Sequence, residues 1–259
     1  DVHYWTGNID WLDIEHRITE RTKAIMCVHW AGYPCDLDEI HEIAARHGLP
    51  VIEDAAHALG ATYHGRPIGA LSPYTMFSFQ AIKQLTTGDG GLLTVQTEAH
   101  YDKARRLRWF GIDRDKRRVG LNGYAHWPQS EAEYKMQMHD IAAAIGLGNL
   151  EDIDTLLERR HAIAARYHRE LDGIPGVTLF ARQKDRMSGD WLYTLHVENR
   201  DDFCRMMADR DIEVSICHMR NDVHPIFGPR RDDLPVLDRY EKTYISIPLH
   251  NHLTDADVD

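Results

Sequence analysis

Pro50-Val51-Ile52-Glu53-Asp54 is a short apolar run that stops on two carboxylates, and Ala55-Ala56-His57-Ala58-Leu59-Gly60-Ala61 follows it. A run of this length between a glycine and a polar stop reads as a buried strand. Just before it, residues 36–47 place Leu37, Ile40, Ile43 and Ala44 on one helical face, with Asp36 as a natural N-cap and Gly48 closing the helix. Residues 22–29 form an earlier strand candidate, set off from that helix by a turn at Gly32 and Pro34. Further on, residues 75–79 and 91–95 read as strands, the second after the turn Thr87-Gly88-Asp89-Gly90. Strands alternating with helices imply βαβ crossovers and a mainly parallel sheet, an α/β class.

Residues 138–171 have few breakers and recurrent apolar positions, among them Ile141, Ala144, Ile145, Leu150, Ile153, Leu156, Ile163 and Tyr167. One long helix, or two joined end to end, is the simplest reading. Beyond Gly173 the pattern becomes α+β, with strands at 176–180, 191–197 and 244–248 and a helix at 200–209. A boundary near residue 150 therefore divides the chain into a large domain, 1–150, and a smaller C-terminal domain, 151–259.

The chain has 259 residues, 43% of them apolar and 27% charged, an ordinary globular balance that excludes a disordered, collagenous or coiled-coil protein. Its net charge of −11 disfavours a nucleic-acid partner, although a few local donors can bind a small anion whatever the global charge. Cys27, Cys35, Cys204 and Cys217 include no CxxC pair and read as reduced thiols of a cytoplasmic protein. No apolar run approaches the length of a membrane span, and Asp1-Val2-His3-Tyr4-Trp5 does not open a signal peptide. The first residue is not Met, and residues 253–259 read like the start of a helix, so the sequence reads as a piece of a longer chain.

Asp54 falls at the C-terminal end of a buried strand, where open α/β sheets present functional groups; a helix cap or a salt bridge is the bland alternative. Lys83 follows the strand at 75–79 through apolar surroundings, placed for a depressed pKa and amine chemistry, although most such lysines are solvated surface groups. Together they supply what pyridoxal phosphate asks of a protein, an acid for the pyridine nitrogen and a lysine for the Schiff base. Ser78 adds a hydroxyl for the cofactor's phosphate.

Val51–Ala61 and the run Phe77-Ser78-Phe79-Gln80-Ala81-Ile82-Lys83 through Gly91 closely resemble the DegT/DnrJ/EryC1/StrS family of sugar aminotransferases. Val28-His29-Trp30-Ala31-Gly32 and residues 134–146 fit the same family, so the resemblance covers essentially the whole chain. It implies a fold type I, pyridoxal 5′-phosphate-dependent enzyme with a three-layer αβα large domain, working as a homodimer with shared active sites. Lys83 would carry the cofactor and move the proton between it and the substrate carbon. Asp54 would pair with the pyridine nitrogen, His57 would lie against the ring or its hydroxyl, and Ser78 would hold the phosphate. Gln137 would reach the partner subunit's cofactor phosphate; family members typically have Asn there, and Met136 stands where an aromatic is common. The family's first strands, with a small-residue phosphate loop and a stacking aromatic, precede the segment that matches Asp1 and are not in this sequence.

The same resemblance places a substrate-facing loop near residues 217–224, making His218 and Arg220 candidates for contacting a nucleotide-diphosphate keto sugar, with a structural loop as the alternative. Cys217, His218 and His224 are metal-ligand types without a zinc spacing, and no metal is expected. The basic stretch Arg105, Arg106, Arg108, Arg114, Lys116, Arg117 and Arg118 reads as a solvated helix end, with one or two arginines available to clamp a diphosphate. The implied reaction is transamination of the keto sugar to an amino sugar with glutamate as donor. Two rivals stand beside it: a pyridoxamine phosphate-dependent sugar dehydratase, whose members carry His where this chain has Lys83, and a non-catalytic relative with a regulatory or structural role.

Overall fold

The computed structural model describes residues 1–129 and 131–259. The chain enters through helix α1 (Trp11–Arg17), strand β1 (Ile25–Val28), helix α2 (Leu37–Arg46) and strand β2 (Val51–Asp54). The short strands β3 (Thr62–Tyr63) and β4 (Arg66–Pro67) follow, then β5 (Tyr74–Ser78), β6 (Gly91–Val95) and helix α3 (Glu98–Leu107). The main sheet runs β1-β2-β5-β6; the first three strands are parallel and β6 is antiparallel to β5, a departure from the parallel expectation at this edge. Val28, Asp54 and Met76 are neighbours across the sheet, so β1 and β2 end level, Asp54 sits at their C-terminal edge and β5 runs two residues further, to Ser78.

Along β2 the side chains alternate, with Val51 and Glu53 buried and Asp54 on the other, half-exposed face. The buried face packs on α2 through Leu37, Ile40, Ile43 and Ala44, against Ile25, Cys27 and Val51. Removing a fully buried side chain such as Ile40 from water contributes about 2 kcal/mol. Asp36 precedes α2 as expected, yet its side chain makes no capping bond: Oδ1 accepts instead from Arg186 Nη1 at 2.7 Å. A guanidinium holds a carboxylate more strongly than an orphan backbone N–H does.

Glu53 has no exposed surface, and its carboxylate is fully used: Oε2 meets His29 Nε2 at 2.8 Å, and Oε1 accepts from the Ser72 amide at 3.0 Å and from Thr75 Oγ1 at 3.3 Å. His29 Nδ1 accepts from the Cys35 amide, so Nε2 carries the proton that Glu53 accepts. Burial works to raise the pKa of Glu53, but the His29 and Ser72 donors outweigh it and hold the carboxyl below its ordinary range. The His29 amide donates to the Asp54 carbonyl at 3.0 Å, so this buried pair fixes the backbone from which Asp54 projects.

The hairpin of β7 (Arg118–Val119) and β8 (Ala125–His126) leads to helices α4 (Asp140–Leu150) and α5 (Ile153–Glu170), two helices interrupted at Glu151 and Asp152. Strands β9 (Val177–Leu179), β10 (Arg186–Met187) and β11 (Tyr193–Val197), helices α6 (Arg200–Ala208) and α7 (Pro235–Thr243), strand β12 (Tyr244–Ile247) and the short helix α8 (Asp255–Val258) complete the chain. A second antiparallel sheet, β12-β11-β9, packs Tyr193, Leu195, Val197, Ile245 and Ile247 against Ile163 and Ala164 of α5 to make a separate core. Strand β10 pairs with β3 and brings residues 188–191 beneath the first core. There the Gly189 amide donates to Gly32 O at 2.9 Å and the Trp191 amide to Ala31 O at 3.0 Å. Gly32 has φ +100°, and a Cβ on it would stand 2.8 Å from the His57 carbonyl oxygen, so only glycine lets the three segments meet.

Candidate active site

The C-terminal edge of the main sheet gathers four of the residues singled out in the sequence. Asp54 ends β2, and its Oδ1 accepts from the Ala56 amide at 3.0 Å, turning the chain toward His57. Ser78 ends β5, with Oγ accepting from the Gln80 amide at 3.3 Å. The loop beyond is closed at its base by Phe79, which donates to Gly90 O at 2.8 Å and accepts from the Thr87 amide at 2.9 Å. Lys83 rides on this closed loop. Among the described residues its ammonium makes no hydrogen bond and no ion pair; Nζ lies 3.8 Å from the ring centre of Trp191.

Trp191 carries functional weight that its place in the sequence did not reveal. It reads there as the first residue of a strand, but β11 begins at Tyr193 and the indole turns back to the Lys83 loop. Its Nε1 donates to Ile82 O at 3.0 Å, and its ring stacks on the His57 imidazole with centroids 3.7 Å apart and planes 18° apart. On the other side of Lys83, Gln84 Nε2 donates to the carbonyls of His57 at 2.9 Å and Gly189 at 3.1 Å. The two neighbours of Lys83 thus tie the Trp191 indole and the His57 backbone to this loop. A tryptophan following Gly-Asp and preceding an apolar strand is the only signal in the sequence, and it does not separate this role from simple β propensity.

His218 joins the site from the second half of the chain. Its ring is parallel to that of His57, 5.5 Å away, and meets Trp30 edge to face at 5.3 Å. Cys217 Sγ lies 3.7 Å from His218 Nε2. Arg220, two residues on, does not share this setting: its side chain has no exposed surface and is bound by Asp222 and Asp238, with Glu241 at 3.8 Å. Its guanidinium is thus engaged by carboxylates in this structure. Gln137 lines a separate cavity beside Arg105, Arg106 and Arg108. Among the described residues no group of three or more His, Cys, Asp or Glu is placed to hold a metal ion.

The electrostatics follow from enclosure. Burial pushes the Lys83 ammonium below the usual lysine value, against the opposing charges of Cys217 and Asp54. Burial, then the charges of Lys83 and His218, drives His57 down to about 3, so its imidazole is neutral. Burial and Lys83 likewise lower His218. His57 Nδ1 is buried and has no partner among the described residues, an unused polar atom.

The profile of the DegT/DnrJ/EryC1/StrS aminotransferase family matches residues 1–259. The chain belongs to this family. The spore coat polysaccharide biosynthesis protein SpsC of Bacillus subtilis is 38% identical over 273 residues, which span 100% of this chain and 70% of SpsC. The crystal structure of the sugar aminotransferase CalS13 from Micromonospora echinospora superposes with a TM-score of 0.94 at 38% identity, covering 100% of this chain and 70% of that one. AtS13 from Actinomadura melliaura gives 0.94 at 39% identity with the same coverage. DegT/DnrJ/EryC1/StrS aminotransferases are pyridoxal 5′-phosphate enzymes of fold type I, and the residues at the sheet edge fit that cofactor: an amine for its aldehyde, a carboxylate for its ring nitrogen, a hydroxyl for its phosphate and an unpaired imidazole nitrogen.

Proposed function

We propose that the enzyme transfers an amino group from glutamate to the keto carbon of a nucleotide-linked sugar. The observation that carries this reading is the unpaired Lys83 amine, held over Trp191 within the field of Asp54 and beside a neutral His57. The sugar aminotransferase CalS13 and the polysaccharide protein SpsC, both 38% identical, support a sugar substrate. Exposure of Ile141, Ile145, Leu147 and Leu150 along α4 supports a homodimer. Two separate cores support a division into domains 1–150 and 151–259. Among the described residues no helix is long and apolar enough to cross a membrane.

When bound, the cofactor supplies the aldehyde that condenses with amines and the ring that withdraws electrons from the substrate carbon. Lys83 would hold the cofactor through Nζ and then serve as the base and acid that moves a proton, a role its lowered pKa suits near neutral pH. Asp54 would keep the ring nitrogen protonated. Neutral His57 adds no positive charge against that nitrogen. Ser78 would donate to the phosphate, and His218 would border the sugar. The dehydratase reading is disfavoured by the lysine at position 83.

The test is an absorbance spectrum of the full-length natural protein with pyridoxal phosphate, before and after borohydride, alongside Lys83→Ala. A band that glutamate bleaches, and a reduced adduct mapped to Lys83, are expected; keto sugars carried on different nucleotides then identify the acceptor. An adduct that Lys83→Ala leaves unchanged overturns the assignment.

A further inference from the structure

We infer that Arg160 and Asp190 are positioning residues for the reaction at Lys83: together they lock the turn that holds the Trp191 indole over that amine. The inference rests on reading Lys83 as the reactive group. Arg160 lies within α5, the helix that carries Ile163 and Ala164 into the second core, and is only 6% exposed. Its hydrogen bonds all leave from Nη1 and all end on backbone carbonyls, those of Asp190 at 3.3 Å, Trp191 at 3.2 Å and Leu249 at 3.1 Å. Its Nε is buried without a partner, and among the described residues no carboxylate forms an ion pair with it. Asp190 is buried too and stands at φ +46°, in the left-handed region that side chains rarely adopt. Its carboxylate is held by Arg182 Nη2 at 2.7 Å, and its amide donates to Ser188 Oγ at 3.0 Å.

A guanidinium taken out of water with no opposite charge bonded to it is unfavourable, and so is a left-handed residue other than glycine. Both fall on one turn, and the bonds that hold them there fix the backbone on either side of the Trp191 side chain. Its carbonyl is held by Arg160 and its amide by Ala31 O at 3.0 Å, where Ala31 is itself left-handed at φ +55°. With both backbone ends anchored, the indole reaches back to Ile82 O and rests 3.8 Å from Lys83 Nζ. A core that needed only packing would take an apolar side chain at position 160, with no charge to desolvate. What the guanidinium adds is a fixed link from α5 to the turn before β11 and to the exit of β12 at Leu249. The titratable groups acting on Lys83 are Asp54, His57, Cys217 and His218, while those acting with Arg160 are Asp190 and His250. The two sets share no member, so contact between Arg160 and the amine runs through Trp191.

The experiment measures the pH dependence with which formaldehyde and cyanoborohydride methylate Lys83 in the full-length natural protein freed of cofactor. Peptide mass reads the product, with exposed Lys103 as the internal reference. Arg160→Lys keeps the charge on a stem one bond too short for the three carbonyls. It is expected to raise the Lys83 midpoint by about one pH unit, leaving about tenfold less free amine at neutral pH, with Lys103 unmoved. In a Trp191→Ala background the same change is expected to shift nothing further, because the group through which it acts is gone. Asp190→Gly suits the left-handed backbone and so keeps the test open should Arg160→Lys not fold. Loss of its negative charge alone would lower the midpoint, whereas loss of the lock is expected to raise it. A midpoint that Arg160→Lys leaves in place, or that Asp190→Gly lowers, assigns these residues to stability alone and overturns the proposal. So does an Arg160→Lys shift that is equal with and without Trp191. Should the wild type form no borohydride adduct with pyridoxal phosphate, the proposed function falls, while the methylation midpoints still decide the positioning role.

Discussion

The ammonium of Lys83 stands 3.8 Å from the ring centre of Trp191, and the same indole donates to the carbonyl of Ile82, the residue before that lysine. The ring acts on Lys83 in two opposed ways. Its face attracts the cation, by about 1 kcal/mol, while its bulk keeps water away from it. The Lys83 pKa is moved downward, with burial as its largest cause against the opposing charges of Cys217 and Asp54.

Trp191→Ala is therefore expected to raise the Lys83 pKa toward the ordinary lysine value, and Trp191→Phe to raise it less. Less free amine would then exist near neutral pH, slowing adduct formation with pyridoxal phosphate. The pH dependence of that rate reads the shift directly. A midpoint that moves downward instead would show that the aromatic face dominates.

Gln84→Leu removes the two donors that join His57 O and Gly189 O. Both carbonyls lie in the packed seam under Trp191, and stranding them is expected to cost about 2 kcal/mol in urea unfolding. The near-ultraviolet circular dichroism of the stacked Trp191 and His57 should weaken as well. An unchanged unfolding midpoint would mean that water replaces the amide freely.

Much of this arrangement is visible in the sequence because it is local. Asp54 is two residues from the amide it binds, and Ser78 and Lys83 share one closed loop, so strand-end positions and a glycine turn suffice to find them. Trp191 and Arg220 are different. Trp191 meets Lys83 only because β10 pairs with β3, a two-residue ladder that no periodicity announces. Arg220 is neutralised by Asp238 and approached by Glu241, both on α7, a helix absent from the sequence reading although Pro235 stands at its start. The antiparallel β6 is likewise set by the closure of the 79–90 loop rather than by any apolar pattern.

Acid should destabilise the fold through its buried imidazoles. Burial places His57 at about 3 and His196 at about 4, whereas each titrates near about 6.5 in the unfolded chain. Between these values the unfolded state binds more protons, so stability is intact above pH ~6.5 and declines as pH falls toward 4. His196 is stacked on Tyr4 at 4.1 Å and hydrogen-bonded at both nitrogens, to Tyr4 O and Thr243 Oγ1. Replacing it with Gln is expected to lower the melting temperature at neutral pH yet flatten its fall between pH 7 and 5. An equally steep fall would assign the acid sensitivity to other groups.

Arg220 should hold the loop that carries His218. Hydrogen bonds from the Arg220 guanidinium, chiefly, keep the Asp222 carboxyl far below the ordinary aspartate range. A depressed carboxylate contributes its stability above the unfolded pKa of about 3.9 and loses it only as pH falls through the lower folded value, so the cluster stays paired throughout mildly acidic conditions. Arg220→Met removes the shared partner of Asp222 and Asp238 while keeping an apolar stem of similar length. The freed carboxylates would repel, the segment from 217 to 231 would open, and the His218 ring would leave its parallel position 5.5 Å from His57. Expected results are a lower urea midpoint and faster amide exchange confined to that segment, with the borohydride adduct at Lys83 retained. Loss of the Lys83 adduct together with the segment would instead tie Arg220 to the cofactor itself.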